Sequence, residues 1–230
     1  MSNQILPKLH ICHKCTLSSC CLKDCQQENT SPRVYRVFHR GETLYSMGDS
    51  FEALFILSSG SAKSFTTTSN GHQQIANFHF PNSLLGIEGF NENIHVHSLT
   101  FLETSSVCRI NLQDFYIAMG NSDSARGQLL KSMSSSIIDK QELLISIVQY
   151  DAEQRLVKFL LSLSEIYCQN SLSCQVFNLS MSRIDIANYL GMAIETISRL
   201  FTKMHSQGII EVHNRQITLC NIGHLKALLQ

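Results

Sequence analysis

The sequence predicts an α+β chain with a cupin-like β jelly-roll sensor domain, a long dimerisation helix and a C-terminal winged helix-turn-helix. Three observations carry this. Short apolar runs punctuated by glycine fill Val34 to Leu112, the pattern of many short strands. From Ser124 to Gln149 there is no proline and one glycine, Gly127, while apolar residues recur three and four apart. From Met181 to Gln207, two short helical patterns flank Gly191, and a strand–turn–strand pattern comes after them.

The chain of 230 residues is long enough for one large or two modest domains, and its 43% hydrophobic content is enough for a packed core. No apolar run is long enough to span a membrane, and the opening MSNQILPKLHICHKC has no signal-peptide core with a small-residue cleavage site. A cytoplasmic protein is expected, with no membrane partner. The net charge of +0 argues against a polybasic nucleic-acid coat. A small dimeric reader can instead rely on local basic residues such as Arg183, Arg199, Lys203 and Arg215.

Residues 1–28 are expected to form a cysteine-rich segment. Five of the nine cysteines, Cys12, Cys15, Cys20, Cys21 and Cys25, lie in one run, CHKCTLSSCCLKDC. In a reducing compartment such clustering favours a metal over disulfides. Cys12 and Cys15 form a C-x2-C knuckle that lets two thiolates converge, with Cys20 or Cys21 as a third donor. Too few apolar residues surround them to fold alone, so the metal would organise the segment. Spacing leaves three readings open: zinc with four thiolates, or with three and His10 or His13; an iron–sulfur cluster; and a tail with spare thiols.

Residues 29–120 are expected to form the barrel. Asn70-Gly71 is a hairpin signal. No catalytic set stands out, so an enzyme is not expected. His72, His79, His95 and His97 lack metal-ligand spacing, and single histidines among strands are more often surface or satisfied core residues. Cys108 is either a small buried strand residue or a distant fourth ligand.

Residues 121–150 are expected to form the long helix. Leu130, Met133, Ile137, Leu144 and Ile147 follow coiled-coil spacing, and the slot between Ile137 and Leu144 is Lys140. In a parallel two-fold dimer Lys140 would face its own copy and weaken association. The alternative is that Lys140 snorkels to solvent from a helix packed within its own chain.

Residues 151–230 are expected to form the C-terminal domain. Asp151 can cap a helix to about Tyr167, with Leu156, Phe159, Leu160 and Leu163 inward. Ser182 can cap the next, which Gly191 ends. In the second helix of the motif Ile194, Ile197, Leu200, Phe201 and Met204 are expected inward, leaving Glu195, Thr196, Ser198, Arg199 and Lys203 outside. Arginine can read guanine, a carboxylate can accept from cytosine, and serine can do either. Glu195 and Arg199 could equally be an ordinary surface ion pair. IIEVHNRQITL then reads as a wing with its turn at Asn214, which favours DNA binding.

Together these pieces resemble the FNR (fumarate and nitrate reduction regulator) branch of the CRP/FNR family of bacterial transcription regulators. The resemblance covers nearly the whole chain and is most specific in IDIANYLGMAIETISRLFTKM. It implies a homodimer that binds double-stranded DNA and acts on RNA polymerase, with Glu195, Ser198 and Arg199 at base edges of a TTGAT-like palindromic half-site. It also implies that Cys12, Cys15, Cys21 and Cys108 hold a [4Fe-4S] cluster that oxygen degrades, releasing the dimer. Cys20, beside Cys21, departs from the family spacing as a competing third ligand. Cys25 is extra, and Cys168, Cys174 and Cys220 match no motif and are read as structural. Members that bind cyclic AMP use an Arg-Ser pair; EGFNENIHVHSL has no arginine, so no cyclic nucleotide is expected although Glu88 could mimic the ribose-binding carboxylate. A regulator of the same family under zinc or thiol-redox control is the alternative.

Overall fold

A computed structural model describes residues 35–170 and 172–229. The segment 1–28, with Cys12, Cys15, Cys20, Cys21 and Cys25, lies outside the described residues. The chain forms two compact units divided between Ile138 and Asp139.

In the first unit, β1 (Tyr35–Phe38), β8 (Ser105–Asn111), β3 (Ala53–Ser59) and β6 (Leu84–Leu85) form one sheet in that order. The second sheet runs β2 (Thr43–Tyr45), β7 (Ser98–Phe101), β4 (Ala62–Thr67) and β5 (Gln73–His79). All pairings are antiparallel. Phe38, Leu57, Leu85 and Val107 from one sheet meet Tyr45, Ala62, Leu99 and Phe101 from the other, which is the core of a jelly roll. Strand β4 buries Ser64 and Phe65 in succession, which strict alternation forbids; a register shift between them in the β4–β5 pairing accommodates this. The Asn70-Gly71 signal does mark a hairpin, but a longer one than two residues: Thr68 N–H bonds the His72 carbonyl at 2.9 Å, with Gly71 at φ 79°.

The barrel continues into α1 (Leu112–Asn121), which the apolar pattern does not announce. Its signal is a cap: the Asn111 side chain accepts from Asp114 N–H at 2.7 Å. Phe115 of α1 packs with Phe51 and Leu54 against a 3-10 turn at Ile87–Phe90. Then α2 (Asp123–Gln149) runs unbroken across the division between the units. The division precedes the expected boundary at residues 150 and 151, because the last turns of α2 belong with the second unit. There Glu142 pairs with Lys158 at 3.2 Å.

The second unit continues with α3 (Ala152–Gln169), β9 (Val176–Asn178), α4 (Arg183–Leu190), α5 (Ile194–Ser206), β10 (Ile210–His213), β11 (Gln216–Leu219) and α6 (Ile222–Ala227). Asp151 caps α3 in a reciprocal box with Gln154. Leu156, Phe159, Leu160 and Leu163 are buried, as the pattern expects. β10 and β11 pair around a turn at Asn214 (φ 55°), and β9 adds a third strand on β11. No helix among the described residues is long and apolar enough to cross a membrane.

Candidate nucleic-acid interface

The turn between α4 and α5 is fixed locally. Ser182 Oγ accepts from Asp185 N–H at 3.1 Å, and the Asp185 carboxylate accepts from Ser182 N–H at 3.0 Å. Gly191 closes α4 in a left-handed conformation (φ 64°, ψ 43°), and Met192 N–H reaches back to the Ala187 carbonyl at 2.9 Å. A side chain at Gly191 would strain this backbone.

Helix α5 presents two faces. Ile197, Phe201 and Met204 are buried. Leu200 is half-buried, and Ile194 is exposed rather than inward because it is the first helical residue, ahead of the packed turns. Glu195, Ser198 and Arg199 are exposed and Thr196 is half-buried. Arg199 Nε approaches the Glu195 carbonyl oxygen at 3.4 Å, and no ion pair joins the two side chains. The Arg199 fork therefore keeps its remaining donors for another acceptor. Lys203 is engaged: its Nζ lies 2.5 Å from Glu153 Oε2 at the start of α3. Both line a cleft of about 410 Å³ with Gln207, Ile209, Asn221 and His224.

One contributor to the motif is invisible to the sequence pattern. Arg183, the first residue of α4, lays its guanidinium 3.2 Å above the centre of the Phe201 ring. Burial pulls its pKa down to about 10, and its Nη1 is buried without a hydrogen bond among the described residues. It joins the two helices of the motif by stacking.

On α2, Leu130 (65% exposed), Met133, Ile137, Leu144 and Ile147 are all exposed. The exposed stripe is wider than the expected seam and includes Ile138, Ile145 and Val148 (83% exposed). Gln141, three or four residues from Ile137, Ile138, Leu144 and Ile145, falls within it. Lys140 is half-buried, and burial pulls its pKa below the usual lysine value despite the charge of Asp139.

Cys108 is a buried thiol in β8, packed with Ile56, Tyr35, Leu84 and Ile110. It stands directly opposite Tyr35 in the β1–β8 pairing. The other expected ligands, Cys12, Cys15 and Cys21, lie outside the described residues. Among the described residues, no three His, Cys, Asp or Glu side chains gather into a metal site.

Within the barrel, Glu88 is held by the chain itself. Its carboxylate accepts from Tyr45 and lies 3.3 Å from His95 Nδ1, while the buried His95 ring stacks on Tyr45 at 3.7 Å. In the second unit the structure joins Cys168 and Cys174 in a disulfide. Spacing alone does not pair these two cysteines. The sequence signal is two cysteines six residues apart across a helix end.

Residues 154–228 match the family model of the Crp-like helix-turn-helix domain, and residues 35–122 match that of the cyclic nucleotide-binding domain. The chain is similar to the transcriptional activator protein anr of Pseudomonas aeruginosa, at 34% identity over 97% of this chain and 93% of that protein. It is also similar to the fumarate and nitrate reduction regulatory protein of Escherichia coli, at 32% identity over 94% of this chain and 89% of that one. Among solved structures, FixK2 from Bradyrhizobium japonicum has a TM-score of 0.77 at 25% identity, covering 85% of this chain and 96% of that one.

Proposed function

The chain belongs to the CRP/FNR family of DNA-binding transcription regulators, and from that premise we propose that it is a cytoplasmic oxygen-responsive regulator whose Cys12, Cys15, Cys21 and Cys108 hold a [4Fe-4S] cluster. One observation supports the ligand set most directly. Cys108 is buried opposite Tyr35, so the chain preceding Tyr35 is covalently attached to the strand neighbour of Cys108. Thirteen residues separate Cys21 from Tyr35. At up to about 3.3–3.6 Å per residue they give Cys21 ample reach to a thiol one strand away. Bound there, the cluster would supply an oxygen-labile link between the cysteine segment and β8.

The rest of the chain supplies the response. The exposed stripe on α2 offers a second copy an apolar surface, with Leu130, Met133, Ile137, Leu144 and Ile147 as contacts. Lys140, at the edge of that stripe, keeps the pairing marginal, so that a modest free energy tips it. In the dimer, each α5 lies in a major groove of a TTGAT-like palindrome. Glu195, Ser198 and Arg199 read base edges there, while Thr196 and Lys203 contact the backbone. The bound dimer regulates RNA polymerase at genes of anaerobic metabolism. The barrel does not use a cyclic nucleotide: Glu88 is already held by Tyr45 and His95, and the stretch EGFNENIHVHSL has no arginine for a phosphate.

The test is a spectrum. Protein purified without oxygen should be brown, with a visible absorbance band that bleaches in air. Cys108→Ser should remove the band. A colourless protein carrying one zinc would overturn the cluster reading and leave the DNA reading intact.

A further inference from the structure

We propose that Cys168 and Cys174 form a reversible thiol–disulfide exchange site for low-molecular-weight thiols and their disulfides, on the surface of the winged-helix unit. The proposal does not rest on the iron–sulfur reading, since Cys108 lies in the other unit.

Four observations meet at this pair. The two residues are disulfide-bonded with Cα atoms 4.8 Å apart, inside the span of about 4.4–6.8 Å that a disulfide requires. Cys168, in the last turn of α3, is exposed; Cys174, two residues before β9, is half-buried. The backbone on both sides is held by contacts that do not need the bond. Ser164 Oγ donates to the Cys174 carbonyl at 2.5 Å, Tyr167 stacks on Phe177 at 5.1 Å, and the Tyr167 hydroxyl donates to the Asn178 carbonyl at 2.8 Å. Finally, β9 is tied to β11, where Leu219 N–H also bonds the Gln175 carbonyl at 2.8 Å.

These contacts keep the two thiols neighbours after reduction, so the second step of exchange is intramolecular and fast. Exposure gives a small disulfide access to one sulfur first. The Cys168 thiolate attacks a sulfur of RSSR, forming a mixed disulfide and releasing one RSH. The Cys174 thiolate then attacks Cys168 Sγ, closing the protein disulfide and releasing the second RSH. Two protein thiols are oxidised, RSSR is reduced, and the two thiol protons leave on the two RSH molecules. Excess RSH reverses both steps.

The experiment uses the full chain equilibrated in glutathione buffers of stepped oxidation, quenched with an alkylating reagent and mapped by peptide mass. Cys168 and Cys174 should lose alkylation together, in one transition, as a cross-linked peptide appears. In Cys174→Ser, Cys168 should accumulate a mixed disulfide with glutathione. In Cys168→Ser, the half-buried Cys174 should react at least several-fold more slowly. Both thiols staying fully alkylated under excess oxidised glutathione would overturn the proposal. So would independent transitions, or pairing with the exposed Cys220.

Discussion

Lys203 Nζ lies 2.5 Å from Glu153 Oε2, so the outer row Glu195–Arg199–Lys203 of α5 ends in an ion pair with the first turn of α3. The carboxylate offsets part of the charge that Lys203 offers to a phosphate. Glu153→Gln should therefore strengthen sequence-independent DNA binding. It should also steepen the slope of log K against log salt by up to about 0.9. The ratio of specific to non-specific affinity should stay unchanged. A salt titration with operator and random duplexes measures both. The pair is about half exposed on the lysine side, so its loss should cost no more than about 1 kcal/mol of stability.

Arg199→Ala should behave differently. Its free donors face outward, so the variant should lose about 1–3 kcal/mol of discrimination at one base pair while binding random DNA nearly as well. Competition between single-substituted operators reads this. Sequence preference that survives intact would mean that α5 is not the reading helix.

Acid should weaken the barrel through Glu88. Burial alone pushes this carboxyl upward, but the His95 hydrogen bond, a backbone hydrogen bond and the charges of His95 and His97 together outweigh it, leaving the pKa below the usual value. A lowered folded pKa contributes stability that is present above the unfolded value and is lost as pH falls through the folded one. Glu88→Gln should therefore melt below the parent at neutral pH, and the gap should close as pH drops below about 4. Melting curves across that range decide it; a gap constant with pH would show that ionisation of Glu88 contributes nothing.

Association should respond to α2. Ile137→Asp should leave the chain monomeric, because it places a charge in the exposed stripe. Lys140→Leu should raise the dimer fraction of cluster-free protein. Sedimentation without oxygen and after air exposure separates the two effects. A Lys140→Leu variant as monomeric as the parent after cluster loss would remove Lys140 from the switching role.

The helix-turn-helix was legible because its signals are local. Ser182 and Gly191 each act within a few residues, and the structure uses both as their chemistry suggests, while Asp185, which completes the box with Ser182, goes beyond that reading. The jelly roll was legible in outline from its short strands, but the succession of Ser64 and Phe65 inward was not, since a bulge answers to the neighbouring strand. Helices α1 and α6 were missed for a shared reason. Each is short, and its main sequence mark is an asparagine cap, Asn111 or Asn221, whose side chain can equally favour a turn. The stacking of Arg183 on Phe201 and the pairing of Lys203 with Glu153 join residues 18 and 50 apart in sequence. No periodicity encodes such contacts.

Arg155 of α3 donates through Nε to the Tyr150 carbonyl and through Nη1 to the Leu190 carbonyl, each at 3.2 Å. Tyr150 directly follows α2 and Leu190 is the last residue of α4, so both oxygens belong to helix ends that lack partners within their helices. One planar fork thus closes two helix termini at once. Truncating Arg155 would therefore withdraw a donor from both carbonyls in one step, at the end of α2 and at the turn that precedes α5.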